Sequence, residues 1–197
     1  MAAPVRLFHA PASPFARKCR VVIRERGIAG IEEVAVDALT SPDDLIKANP
    51  LSQIPALALD DGSSLFDSAV ICAFLDTLGT GPILSPATDF PLLRRQAAAD
   101  GIGELAVKLR YEQMRREGEK SPGAQKRWRA GITRALDEAE SEDRPDGRFD
   151  IGEIALVCAL GYLDLRHDDM AWREGRPTLT ALAARLEQRP SFVATKA

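Results

Sequence analysis

The chain changes its periodicity at one place, and that break constrains the fold more than any other feature. Gly79-Thr80-Gly81-Pro82, followed by Ser85-Pro86, can continue neither a helix nor a strand, because glycine and proline this dense interrupt both. Before the break, short apolar runs alternate with amphipathic stretches. After Pro91 the apolar residues recur only at helical spacing. The pattern predicts an α/β domain over residues 1–79, a linker over 80–90 and an all-helical domain over 91–197. A chain of 197 residues with 45% hydrophobic content can fill cores for one or two domains of this kind.

In the first region Val5-Arg6-Leu7-Phe8 reads as a strand. Ser13 is an N-cap with Pro14 at the first helical position, and Phe15, Cys19, Val22 and Ile23 give the helix that follows one apolar face, ended by Gly27. Val34-Ala35-Val36 is a second strand, and the polar stretch 41–49 holds at best a short irregular helix. Ala56 to Leu59 and Ser64 to Phe66 form a hairpin around Asp60-Asp61-Gly62, and Ser68 to Leu78 returns to helical period.

In the second region one long helix runs from Pro91 to about Arg116, and Ser121-Pro122 opens another with Trp128, Ile132, Ala135, Leu136 and Ala139 on one face. Asp150 and Glu153 form a capping box before the apolar run Ile154 to Leu165, a feature of folding rather than catalysis. A last helix carries Leu179, Leu182, Ala183 and Leu186.

A net charge of −3 argues against a nucleic-acid surface. The basic clusters at Arg17, Lys18 and Arg20, at Arg24 and Arg26, and at Lys126, Arg127 and Arg129 read as solvated helix faces. No apolar run reaches the ~20 residues that span a bilayer, and the N-terminus has no basic region leading into an apolar signal core, so a cytoplasmic protein without membrane contact is expected. Cys19, Cys72 and Cys158 form no Cys-x-x-Cys pair and fall on apolar stripes, which predicts buried thiols. With His9 and His167 as the only histidines, both read as structural or surface residues, and no metal site is expected.

Three short segments carry the chemistry. Ile54-Pro55 ahead of Ala56-Leu57 suggests a rigid turn entering a strand; a cis bond there would leave the Ile54 N–H and C=O outward, free to pair with an extended peptide, while the alternative is an ordinary turn before an edge strand. Ser13 and Asp67-Ser68 each stand at a helix start, where capping is the default role. Taken together, Ser13-Pro14-Phe15-Ala16-Arg17, Asn49-Pro50-Leu51-Ser52-Gln53-Ile54-Pro55-Ala56-Leu57 and Phe66-Asp67-Ser68-Ala69-Val70-Ile71 resemble the glutathione-holding loops of the cytosolic glutathione transferase family. The 149–154 capping box and Arg189-Pro190-Ser191-Phe192 add to the resemblance, which covers essentially the whole chain. The Ser-Pro-Phe-Ala-Arg segment looks most like bacterial, omega-like members of serine type.

The resemblance implies a thioredoxin-like βαβαββα domain followed by a helical bundle, glutathione as co-substrate, and a homodimer with a role in detoxification. It assigns Ser13 to the glutathione sulfur. A hydrogen bond to the thiolate, worth about 1.5–3 kcal/mol, would lower the thiol pKa by roughly one to two units, and the helix dipole acts in the same direction. It assigns Asp67 to the γ-glutamyl ammonium, Ser68 to the γ-glutamyl carboxylate, Gln53 to the glycyl carboxylate, and Ile54, fixed by Pro55, to the cysteinyl backbone. Asp67 departs from the commoner Glu-Ser pattern by one methylene. A second-substrate pocket would lie between Pro11, Ala12 and Phe15 and the long helix bearing Tyr111 and Met114, although the spacing of Tyr111 and Met114 reads first as core. Arg17 reads as part of a solvated face or as an attractor for an anionic group. The resemblance thus implies a transferase acting on a small electrophile. Two alternatives stay open: a non-catalytic glutathione-binding or scaffold protein, favoured by the shortened Asp67, and a glutathione-dependent peroxidase or thiol oxidoreductase, whose chemistry is easier with a thiol at the position of Ser13.

Overall fold

The computed structural model describes residues 5–145 and 147–197, which form two compact units, one ending at Asp89 and including Pro190–Ala197, the other Phe90–Arg189. Residues 1–4, where the sequence shows no signal core, lie outside the described residues.

The first unit runs β1 (Val5–His9), α1 (Pro14–Glu25), β2 (Ile31–Ala35), α2 (Asp43–Ala48), β3 (Ala56–Ala58), β4 (Ser64–Leu65) and α3 (Ser68–Leu78), with strand order β2-β1-β3-β4. This is the expected thioredoxin-like βαβαββα arrangement. β1 and β2 are parallel, as the intervening α1 crossover requires, while β3 is antiparallel to both β1 and β4. The β3–β4 turn closes through the Asp61 carboxylate, which accepts the Ser63 N–H at 2.8 Å, and through Gly62 at φ +87°. β2 begins three residues before the predicted Val34 because Ile31, Glu32 and Glu33 pair with Val5, Arg6 and Leu7, despite the two acidic side chains. The helix in the polar stretch is regular over six residues, since Leu45 and Ala48 bury against Phe8 and Ala56.

Register fixes what lies at each end of this sheet. Phe8 faces Ala56 and Leu57 faces Leu65, so one further residue brings position 9 opposite 55 and position 66 opposite 56. The segments 10–13, 53–55 and 66–68 therefore leave the sheet at the same end.

The solvated-face reading of α1 is corrected. Lys18 is fully buried, and Arg17 and Arg26 are 7% and 4% exposed. For Arg17 the reason is α8 (Pro190–Val193), the short C-terminal helix, which packs on α1. Arg17 donates to the Phe192 carbonyl at 3.3 Å with its guanidinium over the Phe192 ring, and Ser191 donates to Glu25 at 2.5 Å. Arg26 turns instead to the segment after α3, donating to the carbonyls of Asp76, Gly79, Gly81 and Pro82 at 2.6–3.0 Å. Lys126 and Arg127 are exposed, in line with the same reading elsewhere.

The second unit contains α4 (Phe90–Met114), α5 (Pro122–Ser141), α6 (Ile151–Arg166) and α7 (Pro177–Leu186), with α4 packed on both α5 and α6. α6 is buried along its first ten residues, as expected of a helix that is apolar all round. The Asp150 carboxylate caps it by accepting the Glu153 N–H at 3.0 Å, and the Glu153 carboxylate is taken up by Arg148 and Arg185 at 3.3 and 3.4 Å.

Candidate functional site

Ser13 occupies the N-cap of α1 with extended backbone angles, and its Oγ accepts the Ala16 N–H at 3.2 Å. The oxygen serves as acceptor there, so the hydroxyl proton remains available to a ligand at the positive end of a twelve-residue helix.

The loop between α2 and β3 is organised by Asn49. Its side chain is almost completely buried, donating from Nδ2 to the Gln53 carbonyl at 2.9 Å and accepting the Leu51 N–H on Oδ1 at 3.0 Å. Ser52 closes the turn with its N–H on the Asn49 carbonyl at 2.8 Å and adopts φ +51°. The Ile54-Pro55 bond is cis, as the sequence suggests; Gln53 is exposed and Pro55 buried. The sequence reading used Asn49 only as part of a motif and missed its bonds. An Asn placed between a helix end and a proline is the available signal, since this side chain readily bonds nearby backbone.

Asp67 is the N-cap of α3, with Oδ1 accepting the Ala69 N–H at 3.0 Å, and the Phe66-Asp67 bond is also cis. Asp67 is exposed and Ser68 buried. The Cys19 thiol lies 3.8 Å from the Ser68 carbonyl and 3.7 Å from the Cys72 sulfur, joining the core of α1 to the start of α3. All three cysteines are buried and none is in a disulfide, in agreement with the sequence reading.

Both histidines sit in packed surroundings. Burial, then the nearby Arg20 charge, lowers the pKa of His9, and burial lowers that of His167, whose Nε2 is 2.8 Å from the Ala106 carbonyl. Among the described residues no group of three or more His, Cys, Asp or Glu side chains is arranged to hold a metal ion. A cavity of about 50 Å³ in the second unit lies among Arg95, Glu142, Arg144 and Glu153, and none of the expected site residues lines it.

Residues 12–78 match the family model described as glutathione S-transferase, N-terminal domain, and residues 122–191 match glutathione S-transferase, C-terminal domain. The chain belongs to the glutathione S-transferase family. It is 31% identical over 192 residues to the GST-like protein YibF of Escherichia coli (strain K12), covering 93% of this chain and 94% of that one. A glutathione transferase family member from Pseudomonas fluorescens Pf-5 with bound glutathione superposes with a TM-score of 0.92 at 38% identity, over 98% of each chain. A structure of a family member from the same source, with bound S-(propanoic acid)-glutathione, gives a TM-score of 0.87 at 38% identity over 98% of this chain and 96% of that one.

Of the residues expected at a second-substrate pocket of this transferase fold, Pro11 is exposed and Phe15 half-buried in the first unit. Tyr111 and Met114, in the second, are 50% and 55% exposed, which corrects the core reading. The buried stripe of α4 ends Ile102, Ala106, Leu109, Glu112, and neither residue continues it.

Proposed function

We propose that this chain is a glutathione transferase that activates the glutathione thiol for attack on a small electrophile, as a cytoplasmic homodimer with a detoxifying role. One observation carries the reading: the strand register gathers the Ser13 N-cap, the Gln53-Ile54-Pro55 turn and the Asp67-Ser68 helix start at one end of one sheet. The glutathione named in the Pseudomonas fluorescens structures supports the choice of ligand.

In this reading Asp67 meets the γ-glutamyl ammonium and Ser68, with the α3 N-terminus, the carboxylate. Ile54 pairs with the cysteinyl backbone, Pro55 fixes the turn that presents it, and Gln53 meets the glycyl carboxylate. The Ser13 hydroxyl donates to the thiolate, which forms a bond to the electrophilic carbon as the leaving group departs with its electron pair. Pro11 and Phe15, beside Ser13 in the chain, stand on the electrophile side of the first unit. Asp67 also favours a second reading, a glutathione-binding protein without turnover, because its short side chain already commits one oxygen to the Ala69 N–H.

The test is a calorimetric titration with glutathione followed by turnover on an aryl halide, a hydroperoxide and a mixed disulfide. Ser13→Ala should diminish both the bound-thiolate absorbance and conjugation, by the factor of ten or more that losing about 1.5–3 kcal/mol of charge-assisted bonding implies. Binding without turnover on any of the three selects the second reading, and no binding rejects both. Light scattering should give twice the 21.4 kDa chain mass.

A further inference from the structure

The Gln53-Ile54 peptide has one end fixed and the other open. Its carbonyl accepts a hydrogen bond from the Asn49 Nδ2 at 2.9 Å, and Asn49 is 2% exposed, so that carbonyl points into the protein. The bond between Gln53 and Ile54 is trans, and in a trans peptide the C=O and N–H point in opposite directions. The Ile54 N–H is therefore directed away from Asn49, and among the described residues it donates to nothing. Asn49 also accepts the Leu51 N–H at 3.0 Å, and its own N–H is held by the Leu45 carbonyl at 2.7 Å, so the side chain that sets the peptide plane is anchored to the last turn of α2.

We propose that Asn49 is a positioning residue: by holding the Gln53 carbonyl inward it aims the Ile54 N–H at the backbone of an extended peptide ligand and sets the direction of the Gln53 side chain. The inference rests on the proposed function, since the ligand it positions is glutathione. Asn49 touches no part of that ligand. Its effect is the orientation of one peptide group and of the residue before it. Without the Nδ2 donor that peptide plane is free to rotate, and the outward N–H loses its fixed direction; a preoriented donor becomes one that must be ordered on binding.

The experiment measures the affinity of the full chain for glutathione and for γ-glutamylcysteine, which lacks the glycyl residue, in the wild type, Asn49→Ala and Asn49→Asp. Asn49→Asp keeps an acceptor for the Leu51 N–H but cannot donate to the Gln53 carbonyl, so it isolates the proposed contact and serves where the alanine variant is unstable. Glutathione binding should weaken about tenfold in Asn49→Asp, the factor that ~1.4 kcal/mol represents. The advantage of glutathione over γ-glutamylcysteine should shrink in the same variant, a coupling that general loss of stability would not produce. Unchanged glutathione affinity overturns the positioning role, and equal weakening of both ligands overturns its extension to Gln53, since both ligands carry the cysteinyl backbone that Ile54 meets. Absence of glutathione binding by the wild type instead rejects the proposed function on which it rests.

Discussion

Each unit places a glutamate among arginines, and the two carboxyl groups are driven in opposite directions. In the first unit Glu33 accepts from Arg20 Nε at 2.7 Å and from Arg24 Nη1 at 2.5 Å, with 21% of its side chain exposed. In the second, Glu153 has three guanidinium neighbours, Arg148, Arg185 and Arg144, at 3.3, 3.4 and 3.9 Å, with only 2% exposed. Burial pushes the Glu33 pKa up, but the hydrogen bonds from Arg24 and Arg20 outweigh it and hold the group below the usual carboxylate range. Burial also pushes Glu153 up, the neighbouring Asp150 charge adds to it, and the more distant arginines do not reverse the result. The number of positive neighbours is the wrong measure. What decides the sign is how short the hydrogen bonds to the carboxylate are and how much water remains to share the charge.

A third carboxylate sharpens the contrast, because Asp76 combines burial like that of Glu153 with donors closer than any that Glu153 has. Its oxygens accept the Leu84 N–H at 3.0 and 3.1 Å and the Ser85 N–H at 2.8 Å, and Arg26 Nε lies 3.0 Å away. Asp76→Ala would leave the Arg26 charge and two backbone donors buried without it. The expected loss is about 3–5 kcal/mol, the range for breaking one side of a buried pair. Urea unfolding followed by circular dichroism measures it, and a loss under about 1 kcal/mol would show that close donors count for no more here than the distant ones around Glu153.

The next effect is smaller and depends on pH. Because the folded pKa of Glu33 lies below its unfolded value, its contribution is present above the unfolded pKa, near ~4.3, and is lost as pH falls through the folded pKa. Glu33→Gln should therefore cost on the order of 1 kcal/mol at pH 7, where charge-assisted bonds become neutral ones, and approach zero cost as pH falls below the lowered folded pKa. Amide exchange in β1 and β2 gives a local reading. A cost independent of pH would remove Glu33 from the comparison.

The parts of the molecule that were legible in the sequence are those whose physics is local. The caps Ser13, Ser121, Asp67 and Asp150 all accept backbone N–H groups at their own helix starts, within three residues in sequence. The cis Ile54-Pro55 turn and the βαβαββα order are written in adjacent residues. The hidden parts depend on distant partners. Arg26 and Asp76 are fifty positions apart, and nothing in the α1 sequence shows that its basic side chains will be covered by Phe192 and the 79–85 segment. The helical spacing of Tyr111 and Met114 likewise could not reveal which stripe of α4 would be buried. In the 49–55 loop the motif was visible, but the direction in which the Asn49 side chain turns was not, because that is settled by the end of α2 and the entry to β3 together.

The last test applies the same substitution to the opposite side of the comparison and expects the opposite sign. Glu153 has a folded pKa above its unfolded value, so its contribution to stability is full below the unfolded pKa and declines as pH rises through the folded one. Glutamine imitates the protonated form. Glu153→Gln should match the wild type near pH 4 and be the more stable protein at pH 7, by up to about 1 kcal/mol, since replacing a strongly desolvated charge by a neutral group relieves its burial. The Asp150 cap on the Glu153 N–H does not involve the substituted atoms and should persist. Both tryptophans, Trp128 and Trp172, lie in the second unit, so fluorescence-detected urea unfolding follows the unit that holds Glu153. If Glu153→Gln instead loses stability at pH 7 as Glu33→Gln does, the guanidinium groups at 3.3–3.9 Å are stabilising the carboxylate as effectively as the closer ones around Glu33, and distance is not what separates the two clusters.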